Sequence, residues 1–304
     1  MGIVISFINL KGGVGKTTCC ANIAGEFARE NRKILVIDAD PQANISTLLM
    51  GVGRYQDKFG IDERNVEVVR ETIYQIFLDA INEEENEKLF NFDSAIIKSV
   101  VRNEIQGRET HPLTHLDLLP STYHLMQLEQ QIVNYVRSRY AILNKYIQQI
   151  SSKYDLILID CPPNIYTTTH NSLYSSDFYI IPVIPDFLSI SGIPLLVNAL
   201  NKTIDIKEEE RNETVKLAGI LINLYDKRIN VHKQGIRRIE RLLDYFKTQK
   251  IVNEEAVLFK TMVRNLVDVK NASGKHLPVC IDKPRSDSTL EFIGVCKEIL
   301  DQIA

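Results

Sequence analysis

The sequence has few cysteines, no linker-like segment and no long uninterrupted apolar run. Its five cysteines include no C-x-x-C pair and are odd in number, which argues against a disulfide framework and for a reducing cytosol. No stretch rich in proline, glycine and serine divides the 304 residues, so we expect one domain over 1–304. The longest apolar stretch, 179–200, contains three prolines and an aspartate, which fits a strand followed by a helix better than a membrane span. The first residues lack the basic head and long apolar run of a signal peptide, so we expect a cytoplasmic protein.

The chain has little net charge, but positive charge is concentrated in one segment. The whole chain has a net charge of −3, whereas 226–250 contains eight lysines and arginines against three acids. Such asymmetry within one chain points to a surface that binds a polyanion.

Short β-branched runs alternate along the chain with segments of helical spacing. This alternation predicts an α/β fold with a doubly wound, mainly parallel sheet and helices on both faces. The predicted strands are 3–8, 33–38, 115–119, 154–160, 178–184 and 215–223, and the predicted helices are 17–29, 123–151, 190–200 and 231–246. The segment 51–114, rich in Glu and Asn, departs from this rhythm and is interpreted as a helical insertion, with helices around 66–80 and 86–101. A solvated decoration is favoured there over a partner-binding lobe.

A run rich in glycine and lysine, 11–18, follows the first predicted strand and precedes the first predicted helix. Glycines let the backbone turn and direct N–H groups at phosphate oxygens, and the N-terminus of the following helix attracts the same anion. Lys16 is expected to neutralise the β and γ phosphates of ATP, and the Thr17 hydroxyl to ligate Mg²⁺. The predicted nucleotide-binding residues of this loop are Gly12, Gly13, Val14, Gly15, Lys16, Thr17 and Thr18.

The loop differs from the strict pattern G-x-x-x-x-G-K-[ST], because Leu10 stands at its first position and Lys11 follows. A second lysine at this point resembles the deviant Walker A motif of the ParA/MinD ATPases. The resemblance implies a P-loop NTPase fold. It also implies that Lys11 reaches across a sandwich dimer to the nucleotide of the partner.

Two further segments resemble this family at the expected places. The run 38–44, DADPQAN, is similar to the switch I motif D-x-D-P-Q-x-N. The similarity implies that Asp40 orients or activates the attacking water and that Asp38 lies near the Mg²⁺ shell. Asp160, followed by Cys161-Pro-Pro, is similar to Walker B and switch II, and would hold a metal-bound water. An aspartate at a strand end is often only a cap or turn former, but the order of the three motifs favours the functional interpretation.

The last third of the chain also resembles ParA proteins. The segment 222–228 is similar to the one that follows their sixth strand, which implies that Asn223 contacts the adenine edge. The segment 263–265 is similar to their P-R-N segment, with Val263 in place of proline. The resemblance covers about residues 1–50 and 115–304.

Within the family, the chain resembles ParA/Soj-type partition ATPases most. MinD proteins end in a basic amphipathic membrane helix, whereas this chain ends in an apolar stripe that predicts a core-facing helix. The stripe consists of Phe292, Ile293, Cys296, Ile299 and Leu300.

The resemblance implies a nucleoid-associated protein, without a membrane partner, that partitions a cargo such as plasmid or chromosome DNA. It implies an ATP-dependent homodimer and slow hydrolysis to ADP and phosphate, stimulated by a ParB-like adaptor. The alternative is a MinD-like or carboxysome-positioning ATPase that acts on a protein cargo.

The basic segment predicts where DNA binds. Lys233, Arg237 and Arg241 recur every four residues and would form one stripe on a helix, with Arg238 beside it and Arg228 just before it. Lys260, Arg264 and Lys270 are expected nearby. The opposite, core-packed face would consist of Ile236, Ile239, Leu242, Leu243 and Phe246. The alternative is a solvated helix face without a ligand.

Overall fold

Seven parallel strands form the central sheet in this computed structural model, which describes residues 2–60, 71–82, 92–105, 108–135 and 139–304. The strands are β1 Ile3–Phe7, β2 Ile34–Asp38, β3 Asn103–Ile105, β4 Arg108–Thr110, β5 Leu116–Leu119, β6 Leu156–Asp160, β7 Phe178–Val183, β8 Lys216–Ile222 and β9 Val257–Leu258. The sheet order is β5-β2-β6-β1-β7-β8-β9, and β3 and β4 form a separate antiparallel hairpin. The six strands predicted from the β-branched runs are confirmed, whereas the short edge strand β9 was not predicted.

Helices cover both faces of the sheet. They are α1 Lys16–Arg29, α2 Asn44–Met50, α3 Val52–Phe59, α4 Ile73–Ile81, α5 Phe92–Ala95, α6 Leu125–Tyr135, α7 Ile142–Ile150, α8 Thr167–Tyr174, α9 Phe187–Ser191, α10 Ile193–Arg211, α11 Asn230–Thr248, α12 Val267–Gly274, α13 Val279–Asp282 and α14 Asp287–Ile303. The single helix predicted over 123–151 is instead two helices, α6 and α7. The helix predicted over 190–200 extends to Arg211 as α10.

The core consists of two apolar layers, one on each face of the sheet. Successive strand side chains point to opposite faces, so Leu35 and Ile37 of β2 lie in one layer and Ile34 and Val36 in the other. The first layer includes residues of α7, α10 and α11, and the second includes residues of α1 and α14. Burial on both faces explains why the strands are mostly apolar in sequence, with few polar residues such as Ser6 and Asp117.

The segment predicted as a helical insertion contains α3, α4, α5 and also the β3–β4 hairpin, so it is not purely helical. Parts of the two helices predicted there, 66–70 and 86–91, lie outside the described residues. The end of the segment pairs with the edge strand β5, where the amide of Ile97 donates to Leu118 at 2.8 Å and the amide of Leu118 donates back at 2.9 Å. This pairing satisfies backbone groups that an edge strand otherwise leaves open.

One helical stretch in the described residues, Phe187–Arg211, is apolar and long enough to cross a membrane by length and composition. It comprises α9 and α10. Several of its side chains, Ile190, Ile193, Leu196, Val197 and Leu200, are buried in the first core layer. The strand-then-helix interpretation of the apolar stretch therefore agrees with the structure, since β7 precedes these helices in the central sheet.

Candidate nucleotide-binding site

The loop between β1 and α1 has the backbone geometry that its glycines predict. Gly13 and Gly15 have φ angles of 77° and 83°, in the left-handed region that favours glycine. Gly15 immediately precedes α1 and has no side chain to cap the helix, so amides at the start of α1 remain available to an anion. Gly12 and Gly13 are exposed, which leaves the loop open to an incoming phosphate group.

Asn223 lies against this loop. Its buried Nδ2 donates to the carbonyl of Val14 at 2.8 Å, and its own amide donates to Val183 at 2.8 Å. A Cβ on Gly15 would lie 2.1 Å from the same Nδ2, so a larger residue at Gly15 would displace this contact. The structure thus connects the end of β8 directly to the phosphate loop, and the adenine contact proposed for Asn223 stays a prediction.

Asp38 and Asp160 end the adjacent strands β2 and β6 and lie opposite each other in the register of the sheet. The carboxylate of Asp38 accepts three hydrogen bonds, from the amide of Asp40 at 3.0 Å and from the amide and hydroxyl of Ser46 at 3.0 and 2.6 Å. Burial, and then the neighbouring Asp160, raise the pKa of Asp38 well above its usual value. The hydrogen bonds from Ser46 act against this shift.

Asp160 lacks such backbone partners, although the Thr17 hydroxyl lies close to its carboxylate. Both of its carboxylate oxygens are buried and lack a hydrogen bond among the residues that the structure describes. Burial raises its pKa to about 7, while the nearby Thr17 hydroxyl and Lys16 ammonium lower it. A buried carboxylate without a donor, close to a hydroxyl at a helix N-terminus, provides the hard oxygen ligands that Mg²⁺ prefers. No cluster of three or more His, Cys, Asp or Glu side chains suited to a metal occurs in the described part of the chain.

Lys16 and Asp40 complete the centre of the site. Lys16 is buried, and its ammonium donates to the carbonyl of Lys11 at 3.4 Å. Burial lowers the pKa of Lys16, although Asp160, Cys161 and Asp40 oppose this shift. Burial also raises the pKa of Asp40, against the hydrogen bond from the amide of Gln42 at 2.9 Å and the charge of Lys16. The predicted cation, Lys16, and the predicted carboxylates of Asp40 and Asp160 therefore interact electrostatically in one partly desolvated region.

Lys11 contacts two residues that the sequence did not indicate. Its ammonium lies 3.2 Å from both carboxylate oxygens of Asp186 and 2.9 Å from the hydroxyl of Ser189. Asp186 is also the N-cap of α9, because its side chain accepts from the amide of Ser189 at 2.8 Å. Burial alone would raise the pKa of Asp186, but the hydrogen bonds from Ser189 and Lys11 hold it below its usual value.

Comparison with known proteins places this chain in a family. A family described as AAA domain matches residues 2–217. The sporulation initiation inhibitor protein Soj of Bacillus subtilis (strain 168) is 27% identical over 299 residues, which are 98% of each chain. The chromosome partitioning protein ParA of Myxococcus xanthus (strain DK1622) is 27% identical over 302 residues, 99% of this chain and 88% of the relative. The chain belongs to this family, as a ParA/Soj-type partition ATPase.

Solved structures support the P-loop NTPase fold of this ParA/Soj-type ATPase. A putative plasmid partition protein from Borrelia burgdorferi B31 bound to AMPPNP has a TM-score of 0.66 at 21% identity, covering 99% of this chain and all of that one. The Pyrococcus furiosus cell division ATPase MinD has a TM-score of 0.66 at 20% identity and covers both chains completely. A cobyrinic acid a,c-diamide synthase from Mycobacterium smegmatis with bound ADP and magnesium reaches 0.70 at 19% identity, covering 100% of this chain and 96% of that one.

The basic segment of the ParA/Soj-type ATPase forms α11, as predicted. Lys233, Arg237 and Arg241 are exposed and have no ion-pair partner among the described residues. Arg238 is also exposed, and its guanidinium carbon lies 5.0 Å from the centroid of the Phe187 ring. On the opposite face Ile239, Leu243 and Phe246 are buried, whereas the predicted core residues Ile236 and Leu242 are only partly buried.

Two of the predicted cations lie in ion pairs. Arg228 is exposed but binds the carboxylate of Asp226, with its Nη2 2.6 Å from Oδ2. Arg264 pairs with Asp287 at 2.9 Å and with Glu291. Nearby carboxylates therefore compensate the positive charge of both arginines, in contrast to the stripe on α11. The other two predicted cations, Lys260 and Lys270, are exposed.

The residues that the sequence missed were Ser46, Asp186 and Ser189. Asp186 follows the carboxyl end of β7, which pairs with β1, the strand before the phosphate loop. An aspartate just after a predicted parallel strand was therefore the available signal. The order of the strands, which the sequence does not state, is what places it beside Lys11.

Proposed function

We propose that the chain binds ATP and Mg²⁺, dimerises on ATP and hydrolyses it slowly to ADP and phosphate under the control of a ParB-like adaptor. The ATP-bound dimer binds DNA without sequence preference and partitions a cargo such as plasmid or chromosome DNA, as a cytoplasmic, nucleoid-associated protein. The observation that carries the proposal is the phosphate loop, with its buried Lys16, beside the unpartnered carboxylate of Asp160. The nucleotides and magnesium named for the Borrelia and Mycobacterium structures support the choice of ligands.

The proposal assigns roles to the phosphate loop and to three nearby aspartates. Loop amides and Lys16 bind the phosphates, while Thr17 and Asp160, with Asp38 close by, hold Mg²⁺ directly or through water. Mg²⁺ supplies stabilisation of the negative charge that develops on the transferred phosphoryl oxygens. Asp40 orients the attacking water, which is the contribution that phosphoryl transfer needs most from a protein carboxylate.

Dimerisation gives Lys11 its role. The side chain of Lys11 is 35% exposed and lies at the edge of the loop. In the proposed dimer it leaves Asp186 and contacts the phosphates bound by the second subunit. A cation supplied by the partner makes the complete site dependent on assembly.

The α11 stripe supports DNA as the partner. Three exposed cations without a carboxylate partner in the described residues form one line on the helix, and the buried opposite face holds that line outward. Because phosphate contacts release counterions, affinity is expected to fall steeply with salt. Two stripes in one dimer increase avidity without any new contact.

The test is DNA binding at several salt concentrations, with ATP and with ADP, for the parent and for Arg237→Glu/Arg241→Glu. We expect the parent to bind random-sequence duplex DNA with ATP and the variant to lose this binding. Lys202→Glu/Lys216→Glu is the matched control, since it makes the same charge change at exposed lysines outside α11. Equal binding by the stripe variant would assign DNA to another surface. Equal binding of the parent in ADP would remove the nucleotide switch.

A further inference from the structure

Residues 185–190, called here the 185–190 segment, lie between Lys11 and the basic helix α11. On one side, Asp186 and Ser189 bind the ammonium of Lys11. Asp186 also caps α9, so the position of the carboxylate and the position of the helix are linked. Any movement that separates Lys11 from Asp186 changes the charge balance at the start of α9.

On its other side, the 185–190 segment packs directly on the backbone of α11. A Cβ added to Gly235 would lie 2.0 Å from the carbonyl oxygen of Pro185 and 3.2 Å from Cδ1 of Ile190. Ile190 is buried. No space therefore separates the two elements, so a shift of one must be accommodated by the other.

Phe187 provides a second contact with α11, at the surface. Its ring is 60% exposed, and the guanidinium of Arg238 lies over it. The face of an aromatic ring attracts a cation through its quadrupole. A guanidinium held over this ring is less available to a DNA phosphate than the free side chains of Arg237 and Arg241.

We propose that Phe187 is a positioning residue that restrains Arg238 while Lys11 is bound to Asp186, and that the 185–190 segment transmits the release of Lys11 to α11. This inference rests on the proposed ATP-driven dimer and its DNA surface. Lys11 cannot contact Asp186 and the nucleotide of the partner at once. When it leaves, the segment moves, the ring separates from the guanidinium, and Arg238 joins the DNA-binding stripe.

The experiment measures binding of a fluorescent random-sequence duplex DNA to the full chain, with Mg²⁺ and either ADP or AMPPNP. We expect Phe187→Ala to raise the affinity in ADP by about two- to five-fold, the range that an exposed cation–π contact allows, and to leave the affinity in AMPPNP unchanged. In ADP the slope of log affinity against log salt should also become steeper by about one phosphate contact. Phe187→Leu should act like Phe187→Ala, and Phe187→Tyr should behave like the parent.

Leu188→Ala is the matched control, because Leu188 is the next residue and is 68% exposed. We expect it to leave both affinities at the parental value. An unchanged ADP-state affinity in Phe187→Ala, or an equal change in both nucleotides, would overturn the inference while the DNA surface stands. A parent that binds no DNA with AMPPNP would overturn the proposed function, and the inference with it.

Discussion

At the scale of single residues, Asp38 and Asp160 end neighbouring strands but have different surroundings. Asp38 accepts three hydrogen bonds from the switch I backbone and Ser46, whereas Asp160 accepts none from the described residues. A buried carboxylate without donors is costly unless a cation or water compensates it. The sequence resemblance assigned both aspartates to the metal, and the structure distinguishes a carboxylate that accepts hydrogen bonds from a loop from a buried one whose oxygens accept none from the described backbone.

Asp40 allows a prediction about hydrolysis alone. We expect Asp40→Ala to bind ATP and dimerise like the parent but to hydrolyse ATP about 10²-fold more slowly or worse, because the group assigned to orient the water is removed. The measurement combines nucleotide affinity, molecular mass with ATP, and single-turnover hydrolysis. Asp57→Ala, at an exposed aspartate of α3, is the control. Near-parental turnover of Asp40→Ala would assign the role to another residue.

At the scale of elements, side chains of two neighbouring helices hold the first turn of α8 in place. The Glu129 carboxylate of α6 accepts from the amide and hydroxyl of Thr167, at 2.9 and 2.7 Å, where a negative charge stabilises a helix N-terminus. One turn later, Nδ1 of His170 lies 2.6 Å from the hydroxyl of Thr203 on α10. These contacts hold in place the helix that follows the switch II residues.

His170 makes the stability of this element depend on pH. Burial, and then the charge of Arg139, lower the pKa of His170 from 6.5 to about 4. As the pH falls, the unfolded chain therefore binds this proton first, so stability is present above pH 6.5 and is lost progressively towards pH 4. We expect the free energy of unfolding of His170→Gln to fall less than that of the parent across this window.

The measurement is urea unfolding of both proteins at several pH values within that window. The difference between the two proteins isolates the contribution of His170 from other titrating groups. His111→Gln replaces an exposed histidine outside α8 and should follow the parent. A difference between parent and His170→Gln that does not vary with pH would contradict the assignment.

At the scale of the whole molecule, the carboxyl ends of β2, β6 and β1 bring switch I, Asp160 and the phosphate loop to one edge of the sheet. This edge is where ligands bind in open parallel sheets. Lys11 lies at the same edge, held by Asp186 after β7. In the proposed dimer, we therefore expect the second subunit to pack against the same face of the molecule that binds the nucleotide.

Lys11→Ala tests the dimer. We expect the variant to remain monomeric with ATP and Mg²⁺, because the cation that contacts the nucleotide of the partner is absent, while the parent dimerises. Lys16→Ala should also remain monomeric, since it loses the ligand itself. Molecular mass by light scattering is the measurement, and Lys202→Ala at an exposed lysine is the control. Dimerisation of Lys11→Ala at parental ATP concentrations would show that the lysine does not act across the interface.

Local pattern predicted much of the fold and of the site. Short runs of mostly β-branched and other apolar residues identified six strands, because strands buried on both faces are predominantly apolar. The phosphate loop was predicted because phosphate binding needs glycines, a lysine and a hydroxyl within a few consecutive residues. The hairpin β3–β4 and the break between α6 and α7 were missed, since short strands and helix ends carry weak periodic signals.

The sequence by itself determined the residues of the loop, the strands that support it and the spacing of the cations on α11, because each depends on neighbours a few positions apart. Only the tertiary structure decided which of two strand-end aspartates is satisfied and which residue holds Lys11. Asp186 is 175 positions from Lys11, and the two meet because β7 pairs with β1 in the sheet. Contacts of this kind follow from strand order, which arises from packing segments distant in sequence on the two faces of one sheet rather than from any local pattern.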